Sequence, residues 1–345
     1  MSMMKTLIFF FATSLCVFRL TAQENTDSFS FTPPEKKISE SLYNKITLID
    51  GRRDTSFMGI AQTGMLNRKA RVIPDPAISV QVNNLFRVLI DNTAKEGELV
   101  LHIREFSFAE LTGSMSEKGY CYLQAGLYSK RDNMLGQLAT IDTVVLVKAM
   151  DVTKKMYRAG SSVLTDFIAK NLTITASKST LYTYDEVARI DSIEKQTLKL
   201  YSSATLTDGL YKSYNSFRDQ KPDETDVICD IDNNDIRIKD GKGKSVKPKP
   251  KEVYAIVCNR TAYIATDYGF YPLTKQHGDF FFNGKVKSTA NSGDVIAASV
   301  FFGAIGGLIA SNSATSTYEI KIDHLSGGFI QMKEIKNVGQ PDSVY

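Results

Sequence analysis

The chain has 345 residues, 43% of them apolar and 23% charged, the balance of a globular protein able to bury real cores. Its 42 Lys and Arg stand against 38 Asp and Glu, so the net charge is only +4. That balance excludes the strongly basic surface a nucleic-acid partner needs.

The first residues read as an address. Lys5 gives a positive start, Leu7–Phe18 is an apolar run of twelve, and Leu20-Thr21-Ala22 is an acceptable cleavage site. The expectation is a signal peptide over 1–22, cleaved near Ala22, and an exported protein that is periplasmic or outer-membrane-associated. Twelve apolar residues interrupted by Arg19 are too few to span ~30 Å of hydrocarbon. Cys16 follows Leu15, where a lipidation signal wants a small residue. Loss of Lys5 and Arg19 with the signal brings the net charge from +4 to +2. Polar Glu24–Lys37, with Pro33-Pro34, predicts a flexible leader over 23–44.

An α+β domain is expected over 45–178. Ile46 and Leu48 read as a strand entering the turn Asp50-Gly51-Arg52-Arg53. Phe57, Met58 and Ile60 mark a second strand, and Ala70–Ile73 a third that stops at Pro74-Asp75-Pro76. Ile78, Val82, Leu85, Phe86, Leu89 and Ile90 form one apolar stripe and predict a helix. In Leu99–Phe108, Leu99, Leu101 and Ile103 share one face, while His102 and Arg104 take the other, read as exposed. Tyr120–Tyr128 and Ile141–Val147 are further strands. Asp151 is placed to cap a helix whose stripe is Met156, Val163, Leu164, Phe167, Ile168 and Leu172. Strands with two amphipathic helices against one face of a sheet make the α+β layout.

In element order this half resembles the auxiliary lipoproteins of bacterial envelope transport systems. The matching pieces are Leu48-Ile49-Asp50-Gly51-Arg52, Ile78–Ile90, Leu99–Phe108, Tyr120–Tyr128 and Val163–Leu172. The resemblance implies a non-catalytic periplasmic adaptor. Read without it, Asp50 and Arg52 are an ion pair across a turn.

A helical connector is expected over 179–220, with Thr183–Leu200 as a charged helix packed on one side. The β-rich domain over 221–340 opens with a switch from acids, Asp223 to Asp235, to lysines, Lys239 to Lys251, which suggests a solvated hairpin or loop. Asp230, Asp232 and Asn234 occupy the first three ligand positions of a calcium loop. The glycine and glutamate that loop also needs are replaced by Asp235 and Gly241, so these residues are weak metal candidates. Gly243-Lys244-Ser245 lacks the leading glycine of a phosphate loop. Neither a metal nor a cofactor is assigned. Short strands follow at Val253–Val257, Ala262–Ala265, Phe270–Pro272, Phe280–Phe282, Tyr318–Ile322 and Phe329–Ile335, punctuated by Asn259-Arg260, His277-Gly278-Asp279 and Asn283-Gly284. From Gly209-Leu210-Tyr211 through Tyr254-Ala255-Ile256 and Phe280-Phe281-Phe282 to the last hairpin, this half resembles uncharacterised secreted proteins of Gram-negative bacteria. That implies an address and no activity.

The apolar, glycine-rich insertion Val295–Ala310 is uncharged over sixteen residues. As a helix it would reach ~24 Å, short of a ~30 Å hydrocarbon core. It would align Ser299, Gly303, Gly307 and Ser311 as a row for self-association or lipid contact. Burial within the domain and an extended strand pair are the other readings.

Cys121, Cys229 and Cys258 survive cleavage. Cys229–Cys258 is the best-placed bridge, with three unpaired core cysteines as the alternative. His277 and His324 lie in turns beside Asp279 and Asp323, but no nucleophile elbow accompanies them. The function expected is a non-enzymatic periplasmic adaptor or binding module whose partners are other envelope proteins or itself. A self-associating or membrane-contacting protein acting through Val295–Ala310 is the alternative, and a hydrolase of unknown substrate comes last.

Overall fold

The computed structural model describes residues 25–64, 68–112, 117–176, 180–230, 235–239, 243–285 and 317–335. The first half is built on one eight-stranded mixed sheet. In chain order its strands are β1 (Thr26–Phe29), β2 (Lys45–Asp50), β3 (Gly59–Thr63), β4 (Arg68–Pro74), β5 (Glu98–Thr112), β6 (Glu117–Arg131), β7 (Met134–Ala149) and β8 (Leu181–Tyr182). Helix α1 (Ile78–Leu89) lies between β4 and β5, and α2 (Thr153–Ala169) between β7 and β8. The spatial order is β1-β4-β3-β5-β6-β7-β8. Strands β2 and β3 share one edge of β5 in series, both parallel to it: β2 runs along Glu98–Ile103 and β3 along Phe108–Ala109.

The four-residue recurrence of Ile78, Val82, Leu85, Phe86 and Leu89 gives α1 a single buried stripe. It joins Met156, Leu164, Phe167 and Ile168 of α2 in one core against Leu99, Leu101, Ile103, Phe106, Phe108, Leu123 and Leu127. Gly160 allows α2 to reach the sheet: a Cβ there would lie 2.6 Å from the Phe108 ring and 2.8 Å from Cys121 Sγ.

Two sequence expectations need correction here. The stretch read as a flexible leader forms β1 from Thr26, pairs in parallel with β4, and buries Phe29 completely. Gln81 of α1 ties it down, accepting from the Phe31 N–H and donating to the Phe29 carbonyl. An apolar ring beside a sheet gains more from burial than a polar average suggests. Asp151 is not the cap of α2; Val152 holds that position with no side-chain bond.

The expected helix Thr183–Leu200 is broken into α3 (Tyr184–Ala188), α4 (Ile190–Thr197) and α5 (Lys199–Ser202). Thr183 caps α3 in a reciprocal pair with Glu186. The second half's sheets then begin inside the expected connector, at β9 (Gly209–Tyr211), which is followed by α6 (Tyr214–Arg218). Strands β10 (Val227–Asp230), β11 (Asp235–Lys239) and β12 (Ser245–Val246) form a small antiparallel sheet. Strands β13 (Ala255–Cys258), β14 (Thr261–Thr266) and β15 (Gly269–Pro272) make a second sheet, with β9 pairing β13. Strands β16 (Thr274–Gln276), β17 (Asp279–Gly284), β18 (Thr317–Ile322) and β19 (Phe329–Ile335) make a third. Asn259-Arg260 and His277-Gly278 each turn a two-residue hairpin with both residues at positive φ. The core between these sheets is aromatic, with Tyr211, Tyr214, Phe217, Tyr254, Phe280, Phe282 and Phe329. Taken together, the fold is mixed, a large N-terminal sheet with few helices followed by small antiparallel sheets.

Cys258 is disulfide-bonded, and Cys121 is free and buried. Strand β10, which carries Cys229, packs beside β13. No helix among the described residues is long and apolar enough to cross a membrane. The insertion Val295–Ala310 and the segment 1–22 lie outside the described residues.

Candidate functional site

The site starts from a break in alternation. Leu99, Leu101 and Ile103 point into the helix-covered core, and so do Phe106 and Phe108. A regular strand cannot do both, because its side-chain period is two. The register resolves this: Ile103 pairs with Ala125 and Glu105 with Gln124, leaving Arg104 as the extra residue of a β-bulge. The bulge gathers His102, Arg104 and Glu105 on the sheet's other side. That side is covered by α3, α4 and the turn after β18, not by water. His102, expected on an exposed face, is only 3% accessible. It lies so close under the turn after β2 that a Cβ on Gly51 would be 2.5 Å from its Nε2.

Two segments converge on Arg104. Asp191 and Glu194, three residues apart, share one face of α4. Arg104 Nη2 is 2.5 Å from Asp191 Oδ1 and 2.8 Å from Glu194 Oε2, while Nη1 donates to Glu194 Oε1 at 3.1 Å. His324, from the turn after β18, brings Nε2 to 2.9 Å from Glu194 Oε2 and 3.2 Å from Arg104 Nη2. A guanidinium can only donate, so Nε2 serves either the carboxylate or Arg104, not both. The turn itself is held tightly. Asp323 Oδ1 accepts from the N–H groups of Leu325 and Ser326, and the Tyr214 hydroxyl donates to the His324 carbonyl. Gly327, at φ +74°, rests against the Tyr214 ring, where a Cβ would come within 2.1 Å.

The electrostatics follow from enclosure and pairing. The Arg104 side chain is 9% accessible and His324 is buried, while Asp191 remains half exposed. Burial opposes ionisation of Glu194, but hydrogen bonds from His324 and Arg104 outweigh it and hold the carboxyl below its ordinary value. Burial likewise opposes the Asp191 charge, and Arg104 again reverses the balance. For Arg104, the two acids overcome the cost of burial and raise its pKa. For His102, burial, then the neighbouring Arg104 charge, outweighs the opposing pull of Asp191, Glu194 and Asp50 and pushes it down to about 4, and its Nδ1 has no hydrogen-bond partner among the described residues. Burial pushes Glu105 up to about 7, although the residue keeps some accessible surface.

Asp191, Glu194 and His324 present ligand atoms within 4.8 Å of one another, a set that would suit a divalent cation. The Arg104 guanidinium lies among those same atoms and already supplies the positive charge, so no metal is assigned. One residue on from Glu194, Lys195 Nζ meets Asp279 Oδ1 at 2.6 Å, and Lys321 Nζ meets Asp279 Oδ2 at 3.0 Å. Helix α4 is therefore clasped by the first-half sheet and by the second-half sheet.

Asp50 and Arg52 form a two-pronged pair, Nε to Oδ1 at 2.8 Å and Nη2 to Oδ2 at 2.7 Å, and Arg52 also donates to the Thr55 carbonyl. The pair braces the loop between β2 and β3. His277 sits in an exposed hairpin turn. Asp230 ends β10, while Asp232, Asn234, Ser299, Gly303, Gly307 and Ser311 lie outside the described residues. A shallow open hollow of about 480 Å³ is lined by Thr26, Thr55, Ser56, Arg71, Ile73, Pro74 and Ala77, with no His, Cys or carboxylate among them. Sequence reasoning did not bring Arg104, Asp191, Glu194 and His324 together. The available signal was the parity break between Ile103 and Phe106.

No family model and no curated protein matches the chain. Among solved structures, the chain is similar to protein XCC0632 from Xanthomonas campestris, described by the family model DUF330. The identity is 11% and the TM-score 0.28, over 43% of this chain and 95% of that one. A second structure, of an uncharacterized protein, is similar at 9% identity and a TM-score of 0.22, over 44% and 97% of the two chains. With TM-scores this low, neither likeness bears on activity.

Proposed function

We propose that the protein is a non-enzymatic binding module of the bacterial envelope, acting as an adaptor for other envelope proteins. The observation that carries this reading is the position of Arg104. A catalytic acid or base needs a free valence facing a cavity. Here the guanidinium engages the two acids that could have served, and Glu194 takes up the imidazole Nε2, in the seam between the two halves. The cluster's chemistry is spent on holding surfaces in place. Export is supported by the charged start and apolar run before Ala22, and by a disulfide at Cys258, which suits an oxidising compartment.

Expression of the tagged full chain in a Gram-negative host tests this. The expected outcome is an envelope fraction carrying a chain cleaved near Ala22, crosslinked in living cells to another envelope protein. A cytoplasmic, uncleaved chain would overturn the address. A hydrolytic activity abolished by His324→Asn in a folded variant would overturn the non-enzymatic reading.

A further inference from the structure

Strand β7 leaves an edge open. Its inner side pairs with β6 along its whole length, but on the outer side β8 covers only Leu135 and Gly136. Among the described residues, no strand pairs with the outer side from Gln137 to Ala149. The stretch Ile141-Asp-Thr-Val-Val-Leu-Val-Lys-Ala149 is rich in β-branched residues, which favour extended backbone. Two large apolar side chains face water here: Leu146 on the strand, 41% accessible, and Met150 just past its last residue, 90%. A long apolar edge of this kind is a template for another strand.

We infer that the partner is a second copy of this chain, added antiparallel through β7 about a two-fold axis at Val145. The sequence of the edge is complementary to itself in that register. With Val145 opposite its own copy, Asp142 of one chain stands across from Lys148 of the other, and the pair is made twice by symmetry. Val144 faces the partner's Leu146, also twice, so the exposed Leu146 gains a cross-strand neighbour. Within one chain Lys148 lies directly across from Lys118 on β6. Asp142 lies across from Gln124, whose amide reaches it at 3.5 Å, and it also accepts from the Tyr122 hydroxyl. The product is one sheet continuous across the dimer. The pairing does not depend on export of the chain.

Light scattering after size exclusion of the mature chain, at tens of micromolar, tests the register. The expected mass is twice that of one chain. Asp142→Lys alone and Lys148→Asp alone each place like charges opposite and should weaken the dimer by about tenfold or more. The two reversals together should restore it, which separates pairing from a folding defect; circular dichroism confirms that each variant is folded. Three results overturn the inference. One is a wild-type monomer across the concentration range. Another is a dimer indifferent to both single reversals. The last is a monomer whose amides over 141–149 resist hydrogen exchange, which would mean that the chain covers its own edge.

Discussion

Arg104 donates to both carboxylate oxygens of Glu194, at 3.1 and 2.8 Å, across 90 residues of sequence. The two residues belong to different layers, a bulge in the first-half sheet and the helix that links the halves. Removing one partner of such a pair costs more than the pair itself contributes, because the other charge is left enclosed. Arg104→Ala should therefore lower stability by about 3 kcal/mol, the low end for a buried pair, since Asp191 and Glu194 keep some access to water. Adding Glu194→Gln to that variant should recover part of the loss. Urea midpoints of the three proteins check this; a loss below about 1 kcal/mol would mark the pair as an ordinary surface contact.

His102 and Glu105 should make stability depend on pH in opposite senses. His102 has its pKa lowered to about 4 in the fold, so the unfolded chain binds the extra proton between about 4 and 6.5. Its contribution is complete above about 6.5 and is lost as pH falls toward 4. Glu105 has its pKa raised to about 7, so the folded chain binds the extra proton, and that contribution is lost as pH rises from about 4.5 through 7. Between about 4.5 and 6.5 the two slopes oppose and offset each other in the wild type. Glu105→Gln should unmask a rise with pH of up to about 1.4 kcal/mol per unit. His102→Gln should unmask a fall. Denaturant titrations at three pH values across the window decide the matter, and parallel profiles for the two variants would refute it.

Gly160→Ala should destabilise the protein, although alanine is the better helix former by about 1 kcal/mol. The added methyl would meet the Phe108 ring at 2.6 Å and Cys121 Sγ at 2.8 Å. Overpacking of that kind costs about 1–3 kcal/mol. Thermal melting reads the sign directly, and an unchanged or raised Tm would show that α2 can shift away from the sheet.

Thiol chemistry should sort the cysteines. Burial raises the Cys121 thiol pKa and keeps reagents out, so the native mature chain should be inert to iodoacetamide. Unfolding without reductant should expose one reactive site, Cys121, and reduction should add Cys229 and Cys258. Mass-mapped alkylation checks the order. Labelling of Cys229 in the unreduced chain would rule it out as the partner of Cys258.

The parts legible in sequence were those set by short-range periodicity. The stripe from Ile78 to Leu89 specified α1, and alternating apolar runs specified most strands to within a few residues. Asn259-Arg260 and His277-Gly278 were readable as turns because two-residue hairpins need residues that tolerate positive φ. Long-range relationships were not legible. His102 alternates correctly with Leu101 and Ile103, but alternation cannot say whether the opposite face meets water or another layer. Asp191 and Glu194 read as solvated charges because nothing local indicates an arginine waiting 90 residues away. Phe29 was hidden in a polar stretch whose average composition outweighed one ring.

The double clasp on α4 has a mechanical consequence. Arg104 and His324 hold Glu194 while Asp279 holds Lys195, so the linking helix has no slack with which to act as a hinge. Heat or denaturant should therefore dissolve both halves in one cooperative step, and a calorimetric trace should contain a single peak. A protease should fail to cut the native chain into two surviving lobes near residue 195.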